Sequence, residues 1–413
     1  MKPYLPIIAL TLLSAACDKA DIISGKEDGY CAPATVGLTK AQETVAAGQI
    51  GFDIDFFKKA AGRDEGDVVV SPFSMAAAWS MAAAGAAGDT YSEIARTLGF
   101  NECTSEEIGT FYNKSLEVMR PVSDSAKLCV ANSIWVDRRC VLKDEFVSEA
   151  ENLYSAKAAS IDLTDLKSID YINDWVNEKS FGMIEKLLDE SARNSAMIMT
   201  NAVYFDALWT CPYDYEIASF TNVDGINDKR PFFCGYGGLS YNLEYSENQD
   251  RSEPQAISLP FASSPLRMVF VLPPENTSIN DYIAELNDSK WNRLMSSLSL
   301  SGHPTYFSIP EFTTSTSVKE PKAILKEMGI SRAFSDADFS RAMDASIFVS
   351  NVFHKSKIDV SHEGVKAAAA SAIEFKFISS GQQFELFAAD RPFIYAIVEP
   401  TTQSVLFMGV VRK

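Results

Sequence analysis

The sequence predicts an α+β fold with large sheets, and three observations carry that expectation. Helical apolar spacing dominates the first half of the chain and strand patterning the second. The regular βα alternation of a doubly wound sheet is absent, and segregated helices and strands point to α+β architecture. The chain has 413 residues, 46 % of them hydrophobic, which is ample for a large core. From Thr39 onward it shows no Pro/Ser linker and no internal repeat, so one continuous domain over 39–413 is expected.

The elements follow in order. Ala41 to Ala61 carries helical spacing. Val68 to Val70 is a short strand, and Ser71-Pro72 punctuates before an Ala/Met-rich helix from Phe73 to Ala86. Thr104 with Glu107 makes a capping box that opens another helix. Cys129 to Val136 and Met197 to Phe205 are apolar strands, with a helix from Ser168 to Ser180 between them. Ala256 to Phe261 and Leu266 to Leu272 flank Ala262-Ser263-Ser264-Pro265 as a hairpin. Val318 to Met328 reads as a helix stopped by Gly329, and Ile347 to Val360 as a long strand. Pro392 to Glu399 and Ser404 to Val411 form a closing hairpin.

Charge excludes some functions. The net charge is -18, from 55 acidic and 37 basic residues. Such a surface repels nucleic acid and anionic headgroups, and no Lys/Arg run offsets it. At the start, Lys2 and the apolar Tyr4 to Leu13 are too short to span a bilayer. Ser14-Ala15-Ala16 then precede Cys17, which resembles a bacterial lipoprotein signal, with Ser14 where Leu is usual. The expectation is a signal peptide over 1–16, lipid on Cys17, and a polar tether over 17–38. The alternative is ordinary secretion with Cys17 a bystander. Either way the protein is exported, to the outer membrane or cell surface or else to the periplasm or medium, and meets a membrane only through its lipid. Of the seven cysteines, Cys31, Cys103, Cys129, Cys140, Cys211 and Cys234 remain, and none forms a C-x-x-C pair. They read as buried thiols or as one or two incidental bridges.

Catalytic motifs are missing. The chain has three histidines, His303, His354 and His362. A G-x-S-x-G elbow, H-E-x-x-H, a P-loop and G-x-G-x-x-G are all absent, so no enzyme, metal site or cofactor is expected. His354 sits inside an apolar strand pattern, the usual place of a hydrogen-bonded structural histidine.

The most informative stretch is Glu363-Gly364-Val365-Lys366, Ala367 to Ala370, then Ser371-Ala372-Ile373-Glu374-Phe375-Lys376-Phe377. At a period of two, Val365, Ala367, Ala369, Ser371, Ile373, Phe375 and Phe377 share one face, and the charged Lys366, Glu374 and Lys376 fall on the other. That is a half-buried strand pattern. Yet four successive alanines hold no one conformation, so the segment is suited to two states.

The surrounding motifs resemble the serpin family. Val70-Ser71-Pro72-Phe73-Ser74 with Gly85-Ala86 resembles its early helix, and Ala131-Asn132-Ser133-Ile134-Trp135-Val136 the strand that follows. Ile172-Asn173-Asp174-Trp175-Val176 with Gly182-Met183-Ile184 matches a later helix, with Met183 where lysine is usual. Thr200-Asn201-Ala202-Val203-Tyr204-Phe205 and Trp209 match the central strand, and His354-Lys355 the strand before the loop. Ala389-Asp390-Arg391-Pro392-Phe393 through Leu406-Phe407-Met408-Gly409 resembles the C-terminal signature, with Arg391 where histidine is common. The resemblance covers roughly 40–413.

It implies three β-sheets, eight or nine helices and an exposed reactive loop at about 362–391. It implies a suicide substrate for serine proteases and some cysteine proteases, acting as a monomer in a covalent 1:1 complex. The protease forms an acyl-enzyme, and the cleaved loop then inserts into the main sheet. The implied hinge is Glu363, Gly364, Val365, Ala367, Ala368, Ala369, Ala370 and Ser371. Ser71, Ser74, Asn201 and His354 match the shutter, where that sheet opens, and Trp209 and His362 the breach, where insertion starts. His362 stands where the family usually carries an acidic residue, so the salt bridge that guards the breach is expected to be lost. Family spacing sets the cut fourteen residues after Gly364, at Ile378-Ser379, which favours elastase-like enzymes. Phe377-Ile378 would suit chymotrypsin- or subtilisin-like enzymes and Lys376-Phe377 trypsin-like ones. The alternative function is a non-inhibitory carrier or chaperone.

Physical magnitudes fit insertion. About 14 residues at roughly 3.3 Å each give roughly 45 Å of travel. Burying Val365, Ile373, Phe375 and Phe377 contributes on the order of 6–12 kcal/mol. A dozen new backbone hydrogen bonds at ~1 kcal/mol each add a similar amount, before the cost of ordering the loop. The gross gain is comparable to a domain's whole stability, ~5–15 kcal/mol, so the uncut form would be held kinetically.

Overall fold

The computed structural model describes residues 37–100, 103–123, 126–241, 243, 252–300, 305–365 and 385–413. Nine α-helices and sixteen strands lie among them. The first part of the chain runs α1 (Lys40–Ala61), β1 (Val68–Val70), α2 (Pro72–Gly85), α3 (Gly88–Thr97), α4 (Ser105–Met119), β2 (Ala126–Asp137), α5 (Asp144–Tyr154), β3 (Lys157–Ile161) and α6 (Leu166–Lys179). The middle runs β4 (Met197–Leu208), β5 (Asp214–Thr221), β6 (Asn227–Tyr236), β7 (Leu239–Tyr241), β8 (Gln255–Pro260), β9 (Arg267–Leu272), α7 (Ile279–Glu285) and α8 (Asp288–Ser297). The last part runs β10 (Thr305–Pro310), β11 (Phe312–Ser317), α9 (Pro321–Met328), β12 (Asn351–Val360), β13 (Gly364–Val365), β14 (Glu385–Ala388), β15 (Phe393–Glu399) and β16 (Ser404–Val411).

The strands make three sheets. One has the order β1-β16-β15-β9-β8-β7, another β14-β10-β6-β5, and the third β11-β12-β13-β4-β2-β3. The third is the main sheet, and its long centre is the antiparallel pair of β2 and β4. Helix α2 explains how the layers meet. All of its residues are buried, and its composition, PFSMAAAWSMAAAG, is apolar all round, as a helix enclosed by other elements must be. Its small alanines let β2, β4, β16, α1, α4 and α5 approach from different sides.

The sequence expectations hold for most elements. The Thr104–Glu107 capping box is formed, and Thr39 with Gln42 makes a second one at the start of α1. β8 and β9 pair as the expected hairpin, and β15 and β16 as the closing one. Several boundaries differ by one to four residues, and two of these have a visible cause. The helix expected from Val318 begins at Pro321, because proline presets the first helical position, while the Val318 N–H is already taken by the His354 carbonyl. The strand expected from Ile347 begins at Asn351, where pairing with β4 starts. Just before it, the Val349 N–H is spent on the Ala333 carbonyl, away from the sheet. Cys129, Cys140 and Cys234 are free thiols, and Cys31 lies outside the described residues. Among the described residues no helix is long and apolar enough to cross a membrane.

Candidate functional site

The site is a seam in the main sheet where β12 meets β4. The two strands pair directly and in parallel from Asn351–Ile198 to Ser356–Val203, and there the direct ladder stops. Above it the chain turns at Ser361–Gly364 and comes back as β13. Val365 pairs with Val360 on one side and with Ala207 on the other, and Gly364 pairs with Leu208. The seam is therefore Y-shaped, closed below and wedged open above. This corrects the expectation of a loop lying wholly outside its sheet, since Gly364 and Val365 are already a strand within it.

Glycine is required at the wedge. A Cβ on Gly364 would lie 2.3 Å from the Ala207 carbonyl oxygen and 2.7 Å from the Leu208 Cα, both backbone atoms that cannot give way cheaply. Val365 is buried, as its place on the apolar face of the loop pattern requires.

The closed part of the seam is fastened by a buried polar knot. β12 alternates half-buried and buried positions, which turns His354 inward, directly opposite Asn201 on β4. The Ser71 backbone N–H donates to His354 Nε2 at 3.0 Å, so Nε2 is the acceptor and Nδ1 carries the proton. Nδ1–H then donates to Asn201 Oδ1, while Asn201 Nδ2 donates to Asn132 Oδ1 at 2.6 Å and also to Ser74 Oγ. Ser74 Oγ donates to Asn132 Oδ1 at 2.9 Å, and the Ser356 hydroxyl lies 3.1 Å from His354 Nε2. Phe56 sets its ring edge-on to the imidazole at 5.5 Å. Complete burial depresses the His354 pKa to about 3, so the ring is neutral.

Local structure is given up to build this knot. Ser71 is the N-cap of α2, yet its side chain makes no capping bond. Its hydroxyl donates instead to the Leu406 carbonyl on β16 at 2.6 Å, and its backbone N–H faces His354. Asn132 belongs to the knot and was not singled out from sequence. Its signal was its register, because Asn132 on β2 lies directly opposite Asn201 on β4.

The open part is lined by aromatic rings. Trp209 is buried, stacked on Phe261 at 4.8 Å and 8°, and flanked by Phe233 and Tyr213. Its Nε1 donates to the Ser361 carbonyl at 2.8 Å and its backbone N–H to the Glu363 carbonyl at 3.0 Å. Trp209 thus holds the turn that feeds the wedge. His362 donates through its backbone N–H to Glu311 Oε1 at 2.8 Å and through Nδ1 to the same oxygen at 2.6 Å. Where the loss of a guarding salt bridge was expected, the His362 ring is hydrogen-bonded to a carboxylate, Glu311. Glu311, between β10 and β11, was missed because nothing local marks one glutamate as the partner of a residue so distant in sequence.

The structure thus brings Ser71, Ser74, Asn201 and His354 together, and Trp209, His362, Glu363, Gly364 and Val365 together. Ala367, Ala368, Ala369, Ala370, Ser371, Lys376, Phe377, Ile378, Ser379 and Cys17 lie outside the described residues. Among the described residues no cluster of His, Cys, Asp and Glu could hold a metal ion.

Comparison with known proteins agrees with this geometry. Residues 47–413 match the family model of the serpins, described as serine protease inhibitor. An uncharacterized serpin-like protein of Methanosarcina acetivorans is 27 % identical over 422 residues, covering 98 % of this chain and 96 % of that protein. Serpin A3-1 of Bos taurus is 29 % identical over 407 residues, covering 95 % of this chain and 96 % of that protein. Among solved structures, the thermophilic serpin tengpin in its native state superposes with a TM-score of 0.80 at 26 % identity, over 93 % of this chain and 97 % of that one. A thyroxine-binding globulin complex with thyroxine superposes at 0.76 with 22 % identity, over 90 % of this chain and 98 % of that one, and shows the shared fold. The chain belongs to the serpin family, whose members are generally protease inhibitors.

Proposed function

We propose that this chain is an inhibitory serpin, a suicide substrate that captures a serine protease as an acyl-enzyme and traps it by inserting the cleaved loop between β12 and β4. One observation carries the reading. Gly364 and Val365 already occupy the first two positions of that slot, and beyond Lys366 the residues Ala367 to Ala372 are small. No proline interrupts Lys366 to Ser379, so every backbone N–H there is available to a sheet ladder. On this proposal Glu363 to Ser371 are the hinge, the knot around His354 is the shutter and the Trp209–His362 region is the breach. The reactive bond is Ile378-Ser379, with Phe377 and Lys376 as the alternative residues before the cut. We extend the proposal to an exported lipoprotein attached through Cys17.

The deciding experiment incubates the protein with elastase-, chymotrypsin-, trypsin- and subtilisin-type enzymes. The expected result is an SDS-stable covalent 1:1 complex, with the released C-terminal peptide beginning at Ser379. Cleavage without a complex from every enzyme would overturn the inhibitory reading and leave the carrier alternative. Labelling with radioactive palmitate, lost in Cys17→Ser, checks the anchor.

A further inference from the structure

We propose that His362 and Glu311 form a proton-controlled latch on the opening of the main sheet, tightened in mild acid and loosened as pH rises. The inference rests on the inserting-loop reading, and it concerns what sets the rate of insertion.

The turn at Ser361–Gly364 is tied to both sides of the seam. On the β11 side, Glu311 Oε1 accepts both the backbone N–H and the Nδ1–H of His362, at 2.8 and 2.6 Å. On the β4 side, Tyr213 N–H reaches the His362 carbonyl at 3.2 Å, and Trp209 reaches the Glu363 and Ser361 carbonyls. Parting β12 from β4 pulls on both sets of ties at once. The Glu311 tie is the one whose strength depends on charge.

Because Nδ1 keeps its proton on Glu311, the proton taken up from solvent goes to Nε2. Both side chains are partly exposed, so that uptake is open to water. The titratable and charged groups around the ring are Glu311, Tyr215 of β5, which meets it edge-on at 5.8 Å, and its chain neighbour Glu363. Glu216, next to Tyr215, is engaged by the Ser308 hydroxyl at 2.6 Å. Among these described groups the formal charges are carboxylates. With Glu311 ionised the Nδ1–H bond is already charge-assisted, and protonation of the ring adds the attraction of an ion pair. An imidazole ordinarily changes charge between about pH 5 and 8. A group that gains an anionic partner in the closed state contributes stability in acid and loses it as pH rises. Burial keeps His354 neutral throughout that window, and His303 is the one other histidine in the chain, so few side chains compete for the signal.

The test measures how fast a synthetic peptide of residues 365–377 anneals into the intact protein, at about pH 5.5 and about pH 8. Wild type should anneal about fivefold more slowly in acid, the upper end of what a partly exposed ion pair contributes. His303→Gln should keep that ratio. His362→Gln and Glu311→Gln should each bring it below about twofold, since both keep a hydrogen bond and lose the charge pair. An unchanged ratio in both variants, or equal wild-type rates at the two pH values, would overturn the latch. If the peptide anneals at neither pH, the inserting-loop reading falls, and urea midpoints then test the latch alone. The gap between wild type and His362→Gln must widen in acid, and a pH-independent gap overturns it.

Discussion

β12 and β4 are joined in two places by two chemistries. Around His354 the join is buried and neutral, a web of side-chain hydrogen bonds in which His354, Asn201, Asn132 and Ser74 share donors and acceptors. Around His362 it is partly exposed and charged, and much of it is made by the backbone of a turn and a two-residue strand. In the first place an unmade bond has no water to replace it, so the knot releases together or not at all. In the second, solvent can stand in for each tie, so the turn can loosen stepwise. A sheet that opens for the loop, as proposed, benefits from having one of each.

Breaking the buried side has the largest effect. Asn201→Ala strands the His354 Nδ1–H and leaves Asn132 and Ser74 short of a partner, costing about 4 kcal/mol by urea unfolding. A loss under about 1 kcal/mol would mean that the knot is not cooperative. Acid attacks the same place. The His354 pKa falls from its ordinary 6.5 to about 3 on folding, so the unfolded chain binds the extra proton between those values. Its contribution is fully present above about pH 6.5 and declines toward about pH 3, by a few kcal/mol. Asp53, whose carboxyl pKa burial raises well above the usual range, works the other way, so the measurement compares wild type with His354→Gln. Wild type should lose more stability than the variant across that interval.

The exposed side yields smaller effects. Gly364→Ala places a methyl against the Ala207 carbonyl and should expel the wedge, at about 2 kcal/mol of local strain. Faster hydrogen exchange at Val365, with the knot unchanged, would report it. Trp209→Phe keeps the ring packing and removes the Nε1 bond to Ser361, a change of about 1 kcal/mol seen as a small shift in thermal midpoint.

The same contrast separates what was legible in the sequence from what was not. Elements set by local signals were readable, such as the capping box at Thr104, the hairpin turn at 262–265 and the inward face of β12. His354 was legible as a buried structural histidine because strand alternation alone buries it. Asn132 and Glu311 act through partners far along the chain, and no periodicity encodes such a pairing. The wedge was illegible for a different reason. Gly364-Val365 reads the same inside or outside the sheet, and only the gap left where the β4–β12 ladder stops decides between them.

That gap has a kinetic consequence. Zipping a strand into a sheet normally begins with an unfavourable nucleus, because chain closure is lost before contacts are gained. Here the nucleus exists, since Val365 is already laddered on both sides. A loop that zips onward from it needs propagation alone. On the inhibitory proposal, its race against hydrolysis of the acyl bond is then timed by how quickly the ties at His362 and at His354 let go, and not by how long the loop takes to find its slot.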